Sequence, residues 1–251
     1  MRIRAAIPLL LPLILAGSDG GLSIPIRGRT QAVVHISPAI PASRNAVLFL
    51  PGDGGWRGAA ITMGRAVASW GYDVYGFDTK QYLEAFSSPA PALSREQMAD
   101  DIRALSASIA NASHRTVILI GWSQGAGMAV AAGAGVPDRN AIKGVLTLGL
   151  PESAVLGWDW KATLAVIARR EPDQPKFAIK PLLSQLTPMP VWMIHGSDDQ
   201  FTCPDTAQDL YSAAKEPKHL ERIPGANHRF DGHQTELFHS MKEGLAWISG
   251  R

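Results

Sequence analysis

The stretch ILIGWSQGAGMA, residues Ile118–Ala129, places a polar serine between two glycines where an apolar run gives way to small residues. The preceding run TVILI has the continuous aliphatic character of a buried strand. The residues that follow, AGMAVAAGA, suit a helix. Strand, G-x-S-x-G and helix in this order are typical of a nucleophile elbow, a tight turn that exposes Ser123 at the edge of a sheet. The alternative is an ordinary glycine-rich turn.

The rest of the chain alternates short apolar runs with amphipathic segments. Strands are predicted at 31–36, 46–50, 72–77, 116–120, 142–148, 191–195 and 219–223, and helices at 58–70, 94–111, 124–134, 205–215 and 233–248. Most of the runs are too continuous for strands with one exposed face, so they predict a mainly parallel sheet with helices on both faces. We expect a single α/β domain over residues 19–251.

Two segments interrupt this alternation. Residues 79–93 form a predicted loop that contains proline and serine, and residues 151–188 contain five prolines and charges of both signs. Connections of this length are often binding loops or lids. The alternative is that they are surface loops without a role in binding. We expect both segments to be insertions that select the substrate.

The first 18 residues, MRIRAAIPLLLPLILAGS, carry two arginines, then an uncharged apolar stretch, then small residues. This order is typical of a secretory signal peptide and predicts export with removal of residues 1–18. A membrane anchor is the alternative. A spanning helix needs about 20 apolar residues, however, and this stretch is shorter and contains Pro8 and Pro12.

Charge and cysteine content exclude two classes of protein. The chain has 24 Lys and Arg and 22 Asp and Glu, and two of the arginines lie in the predicted signal peptide. The mature chain is therefore nearly neutral and lacks the basic excess of a nucleic-acid-binding protein. Cys203 is the only cysteine, so no internal disulfide can form. We expect Cys203 to be a small buried residue.

A serine nucleophile needs a histidine base and an acidic residue that orients the base. In the order typical of this elbow, the acid follows the serine and the histidine comes last. Asp198 and Asp199 lie just after one predicted strand, and His228 lies in a loop after the next. We expect Asp199 to be the acid because it lies three residues after Gly196, with Asp198 as the alternative.

The other histidines fit other roles. His195 ends a strand and is expected to be a hydrogen-bonded core residue, whereas His233 and His239 are expected to be solvated on the last helix. His228, Asp231 and His233 could together be read as a metal cluster. No known metal-ligand spacing supports that reading, so we expect neither a metal nor an organic cofactor.

Ester hydrolysis also needs two backbone N–H groups that bind the oxyanion. One is expected from Gln124, directly after the serine. The other is expected from Asp53 or Gly54, in the glycine-rich loop PGDGGW after an early strand. A phosphate-binding loop is the alternative, but the G-K-[ST] ending of such loops is absent. Substrate contacts are predicted for Trp56, Tyr82, Trp122 and Asp198.

Five motifs together resemble one known family. They are GDGGW (52–56), GFDTKQYL (76–83), GWSQGA (121–126), GSDDQFTC (196–203) and GANHRFDG (225–232), and they look like the VirJ/AcvB family of bacterial periplasmic α/β-hydrolases. The resemblance covers nearly the whole mature chain and implies an α/β-hydrolase fold with Ser123, Asp199 and His228 as catalytic triad. Gln124 and Asn227 depart from the family pattern, where an aromatic residue and a second histidine are expected. These departures bear on the substrate rather than on the catalytic machinery.

The resemblance also implies a function. The chain would be a periplasmic serine hydrolase, related to enzymes that remove the amino acid from aminoacyl-phosphatidylglycerol, lysyl or alanyl, at the membrane surface. The family is linked in some bacteria to virulence and type IV secretion, so secretion-system or envelope proteins are possible partners. The alternatives are a general esterase and a non-enzymatic periplasmic adaptor. Four basic residues could meet a lipid phosphate or be solvated: Arg169, Arg170, Lys176 and Lys180.

Overall fold

The computed structural model describes residues 20–41, 43–87, 93–136, 141–168, 170 and 172–251. The predicted signal peptide at 1–18 lies outside these residues, as do Arg169 and residues 88–92 of the predicted loop. Within the described part of the chain, no helix is both long and apolar enough to cross a membrane.

The strands and helices alternate along most of the chain. The strands are β1 (Gly20–Ile26), β2 (Arg29–Ile36), β3 (Asn45–Leu50), β4 (Asp73–Phe77), β5 (Thr116–Trp122), β6 (Ile142–Leu148), β7 (Ser153–Val155), β8 (Lys176–Ala178), β9 (Val191–Gly196) and β10 (Lys218–Ile223). The helices are α1 (Ala59–Ser69), α2 (Thr79–Ala85), α3 (Arg95–Ser113), α4 (Gln124–Gly133), α5 (Trp160–Ile167), α6 (Lys180–Leu183), α7 (Pro204–Ala213) and α8 (Gln234–Ser249).

Eight of these strands form one sheet in the order β1-β2-β4-β3-β5-β6-β9-β10. The neighbours from β4 to β10 all pair in parallel, and only β1 with β2 and β2 with β4 are antiparallel. Every residue of β3 and β9 is buried, as their continuous apolar sequences predict. The predicted mainly parallel sheet is confirmed.

Helices cover both faces of the sheet and bury two apolar layers. One layer contains the inner faces of α3 and α4, including Met98, Ile102 and Met128. The other contains the inner faces of α1 and α8, including Val67 and Met241. Because both faces are covered, the ends of the parallel strands are the natural place for a binding site.

Parts of the predicted loops are regular structure. Residues 79–85 form α2, because the Asp78 side chain caps its first turn through the N–H of Gln81 at 3.0 Å and Leu83 is buried beneath it. The sequence predicts a loop over all of residues 79–93 because of the prolines later in this segment. Residues 151–188 likewise contain β7, α5, β8 and α6, and β7 pairs with β8 in a separate small sheet.

Candidate active site

Ser123 lies at the turn between β5 and α4, at the carboxyl end of the sheet. Its backbone has φ 55° and ψ −120°, a conformation that non-glycine residues rarely adopt and that is typical of functional sites. A Cβ on Gly125 would overlap the carbonyl oxygen of Leu50, and one on Gly121 would overlap the backbone of Ala126. The two glycines are therefore needed for a turn this tight, and the predicted strand, elbow and helix are present.

The structure brings Ser123, His228 and Asp199 together. The Ser123 Oγ lies 2.8 Å from Nε2 of His228, and Nδ1 of the same imidazole lies 2.7 Å from Oδ2 of Asp199. These residues follow β5, β10 and β9, three strands of one parallel run, so their carboxyl ends meet at one edge. This is the arrangement of a nucleophile, a base and the carboxylate that orients the base.

Asp199 is held in place through both of its carboxylate oxygens. Its Oδ1 accepts hydrogen bonds from the N–H groups of Phe201 at 2.8 Å and Thr202 at 3.0 Å, which leaves Oδ2 for His228. Burial favours the neutral acid, but the hydrogen bond and charge of His228, with the two N–H groups, outweigh it and lower the pKa of Asp199. The ionised carboxylate accepts a hydrogen bond from the Nδ1–H group of His228, which leaves Nε2 as the acceptor for the Ser123 hydroxyl.

The predicted oxyanion loop, Pro51–Trp56, which we call the oxyanion loop below, lies directly beside Ser123. A Cβ on Gly52 would lie 3.1 Å from the Cβ of Ser123, so glycine allows this close approach. Thr79 Oγ1 donates to the carbonyl of Pro51 at 2.6 Å, which ties the loop to the start of α2. Asp53 and Gly54 therefore border the cavity that contains Ser123, as their predicted role requires.

Gln124 is the first residue of α4, and its side chain points away from the nucleophile. Its Nε2 donates to the carbonyl of Val155 at 2.8 Å, and its Oε1 accepts the Val155 N–H at 3.0 Å. Its backbone N–H belongs to the first turn of a helix, where such groups lack helical partners and favour anions. Gln124, which departs from the family pattern, therefore holds the 151–188 segment against the elbow through these two hydrogen bonds.

A cavity of about 440 Å³ opens above Ser123 and His228. Its walls come from the oxyanion loop, α1, the His228 loop and α8. They carry four charged residues, Asp53, Arg57, Arg229 and Asp231, and the apolar side chains of Ala59, Met63, Trp122, Leu237 and Phe238. Arg57 and Arg229 were not predicted to line the site, although Arg57 directly follows the GDGGW motif and Arg229 lies within GANHRFDG.

Of the predicted substrate contacts, only Trp122 lines this cavity. Its indole Nε1 also donates to the carbonyl of His228 at 3.3 Å. Trp56 packs instead on the sheet, against Phe49 with 5.6 Å between ring centroids. Asp198 is exposed and accepts a hydrogen bond from Ser197, so it does not contact His228 as Asp199 does.

Tyr82 lies in the core rather than in the cavity. Its side chain is fully buried, and its hydroxyl donates to Oδ2 of Asp101 at 2.7 Å. Burial and the charge of Asp101 both raise the pKa of Tyr82, so it stays a neutral donor. The predicted substrate contact is corrected to a structural hydrogen bond, because the aromatic ring packs between Phe77 and Phe86.

The two inserted segments do not line the cavity within the described residues. The 151–188 segment packs on α4, and a Cβ on Gly127 would lie 2.6 Å from that of Ala154. Of the basic residues predicted to meet a phosphate, Lys180 pairs with Asp209 at 2.7 Å and Arg170 is exposed. The described residues of these segments therefore do not line the cavity at Ser123, and their role in substrate selection stays a prediction.

Two further predictions need correction. Cys203 is exposed rather than buried, because it precedes α7 as its N-cap residue, and a hydrogen bond with Thr206 lowers its pKa. His195 is buried as predicted, but neither ring nitrogen has a hydrogen-bond partner. Burial lowers the pKa of His195 to about 4, so its imidazole is neutral at pH 7.

The remaining histidines do not gather with acids or the cysteine around a metal site. His233 precedes α8 and is half-buried, and His239 is exposed on that helix. In the described residues, no group of three or more His, Cys, Asp or Glu side chains is arranged to hold a metal ion.

Comparison with known proteins identifies the family. A family model described as bacterial virulence protein (VirJ) matches residues 44–247. The chain belongs to the VirJ family. The matched region contains the oxyanion loop, the elbow and both of the loops that carry Asp199 and His228. No curated protein matches the sequence at a significant level.

Solved structures share the fold of this VirJ family member at low sequence identity. An α/β serine hydrolase without lid from Xanthomonas campestris has a TM-score of 0.66 and 18% identity, covering 94% of this chain and 96% of its own. Est1E from Butyrivibrio proteoclasticus has a TM-score of 0.68 and 16% identity, covering 93% and 100%. An esterase domain from Rhodothermus marinus has a TM-score of 0.65 and 19% identity, covering 92% and 98%. The predicted α/β-hydrolase fold is confirmed.

Proposed function

We propose that the protein is a serine ester hydrolase that works through Ser123, His228 and Asp199. The observation that carries the proposal is the continuous hydrogen-bonded relay from Ser123 Oγ to Asp199, with distances of 2.8 and 2.7 Å. A structural serine does not need a strained elbow, a hydrogen-bonded imidazole and a cavity above it. All three are present at one edge of the sheet.

The geometry supports an acyl-enzyme mechanism. Ser123 Oγ attacks the ester carbonyl while Nε2 of His228 takes its proton, and Asp199 stabilises the resulting imidazolium. The backbone N–H of Gln124, with that of Asp53 or Gly54, binds the oxyanion. His228 then returns the proton to the leaving alcohol oxygen. A water molecule, deprotonated by His228, hydrolyses the acyl-enzyme and releases the acid.

The substrate that we propose is the aminoacyl ester of aminoacyl-phosphatidylglycerol, lysyl or alanyl. Such an ester carries an ammonium on its acyl part and a phosphate on its alcohol part. The cavity offers partners for both, because Asp53 and Asp231 are anionic whereas Arg57 and Arg229 are cationic. Among the described residues, neither of these arginines forms an ion pair, so both guanidinium groups are available to a ligand.

Membership in the VirJ family supports the same proposal and a periplasmic location after removal of residues 1–18. Determination of the N-terminal sequence of protein from the soluble periplasmic fraction tests the location. Recovery of the full-length chain in carbonate-washed membranes would instead indicate an N-terminal anchor.

The decisive experiment compares three substrates with purified enzyme. Lysyl-phosphatidylglycerol, alanyl-phosphatidylglycerol and a neutral short-chain ester are each assayed for kcat/KM, beside a Ser123→Ala control. We expect faster turnover of an aminoacyl lipid than of the neutral ester, and none with the control. If the neutral ester is turned over equally well, the protein is a general esterase. A folded protein whose Ser123 resists a fluorophosphonate probe would contradict hydrolysis altogether and favour the adaptor.

A further inference from the structure

Helix α5 exposes an apolar stripe to solvent. Trp160, Leu164 and Ile167 have exposed fractions of 68%, 53% and 73%, and their spacing of four and three places them on one face of the helix. Among the described residues only two other large hydrophobic side chains, Ile40 and Phe201, are exposed to a similar degree. A concentration of exposed apolar side chains on one short helix indicates an interaction surface.

The stripe belongs to a firmly held helix rather than to a frayed end. Asp159 caps α5 by accepting the N–H of Ala162 at 2.7 Å, and Ala162 is buried. Trp158, also buried, donates through its indole to Thr163 at 3.0 Å. Val166 packs against the core from the inner face. Because the inner face is anchored, the outer face keeps its orientation toward solvent.

Cationic side chains accompany the stripe. Lys161 has its Nζ 5.8 Å from the ring centroid of Trp160, and Arg170 is exposed just beyond the end of the helix. The sequence of α5, WKATLAVI, contains no acidic residue; Asp159 before it is occupied as the cap, and the exposed Asp173 lies three residues beyond Arg170. Tryptophan and leucine on one face, with lysine and arginine beside them, are typical of helices that bind the surface of anionic membranes.

We propose that α5 docks the protein on an anionic lipid bilayer, with Trp160, Leu164 and Ile167 inserted among the lipid headgroups. A second copy of the chain fits the surface less well. A symmetric contact through α5 would bring Lys161 and Arg170 of both copies around one apolar patch, where like charges repel. Lipid phosphates instead complement these cations.

The position of α5 connects docking to the candidate active site. The side-chain amide of Gln124, the residue directly after Ser123, forms hydrogen bonds with both the carbonyl and the N–H group of Val155. Trp160 lies five residues farther along the chain, which limits its distance from Val155 to about 18 Å. The docking surface therefore follows closely along the chain from the residue that contacts the elbow. Its biological purpose rests on the proposed function, since a lipid ester must be reached at the membrane.

Vesicle sedimentation tests the docking without any requirement for catalysis. All proteins carry Ser123→Ala so that no lipid is consumed, and all share the same N-terminus. The test variant is Trp160→Gln/Leu164→Gln/Ile167→Gln, which keeps helix-compatible residues. The control is Ile40→Gln, which removes an equally exposed side chain elsewhere (77% exposed). Vesicles of phosphatidylglycerol and of phosphatidylcholine serve as the probes, and thermal melting verifies the fold.

We expect the parent and the Ile40 variant to bind phosphatidylglycerol vesicles, less so at high salt, and the triple variant to bind at least tenfold more weakly. Equal binding by the triple variant, or no binding by the parent, would overturn the proposal. A dimer of the parent that the triple variant loses in light scattering would overturn it in favour of self-association. With Ser123 restored, a triple variant that still hydrolyses a soluble ester shows that docking and chemistry are separate. If the wild type hydrolyses no ester, the proposed function fails while the docking result stands.

Discussion

The Oδ2 atom of Asp199 lies 2.7 Å from Nδ1 of His228, whereas the neighbouring Asp198 is exposed and bonds to Ser197. Of these adjacent acids, only Asp199 can orient the base. Asp199→Asn should therefore lower kcat by about four orders of magnitude, because the amide favours the wrong tautomer of His228. Asp198→Asn, the matched control, should change kcat less than about threefold. Steady-state kinetics on one ester checks both, and the reverse ranking would contradict the assignment.

The elbow should tolerate no side chain at Gly125. A Cβ there would overlap the carbonyl oxygens of Leu50 and Pro51, both backbone atoms that cannot yield without moving β3. We expect Gly125→Ala to lower the free energy of unfolding by about 3 kcal/mol or more. Gly54→Ala is the control, since nothing lies within 4 Å of a Cβ at that position. Urea unfolding followed by tryptophan fluorescence measures both, and equal stabilities would refute the overlap.

The arginines of the cavity should discriminate substrates by charge. Arg57→Gln and Arg229→Gln should each raise KM for an aminoacyl-phosphatidylglycerol in detergent micelles by about tenfold, because a charge-assisted contact with the phosphate is lost. KM for a neutral short-chain ester should change little. Arg65→Gln removes an exposed cation of α1 that does not line the cavity and should leave both values unchanged. A uniform loss with both substrates would argue against phosphate recognition.

His195 should make the protein less stable in acid. Its pKa is about 4 in the folded protein because of burial, and about 6.5 in the unfolded chain. Between these pH values His195 is protonated in the unfolded chain but neutral in the folded protein. The free energy of unfolding therefore decreases as pH falls from 6.5 to 4. The loss is on the order of 3 kcal/mol.

His195→Leu should remove most of that pH dependence. Because both ring nitrogens lack partners, an apolar side chain of similar size should cost little stability at pH 7. Urea unfolding at pH 7 and pH 4.5 gives the comparison. The same decline in wild type and variant would mean that other groups, such as Asp199, govern acid stability.

The three candidate catalytic residues that the structure brings together could be selected from the sequence because each is tied to a local pattern. The elbow around Ser123 follows from two glycines between a strand and a helix, and the order of Asp199 and His228 follows from the strands before them. The choice of Asp199 over Asp198 also followed from the local sequence, because Asp199 lies three residues after Gly196. The structure adds the distances that make these residues one relay.

The walls of the cavity could not be predicted in the same way. Tyr82 lies in a motif close to the site in sequence, yet its ring turns into the core and its hydroxyl bonds to Asp101. Arg57 and Phe238 come from opposite ends of the chain and meet only because α1 and α8 cover the same face of the sheet. Such long-range packing leaves no signature in a single sequence.

The sheet order described above also sets the moment at which the proposed catalytic relay can form. Ser123 is synthesised 105 residues before His228, and the base reaches it only after β9 has added to β6 and β10 to β9. A growing chain therefore carries a nucleophile without a base until its last strands are in place. If the proposed function holds, hydrolysis cannot begin on a partly made chain, and the first appearance of activity reports that these last strands are in place.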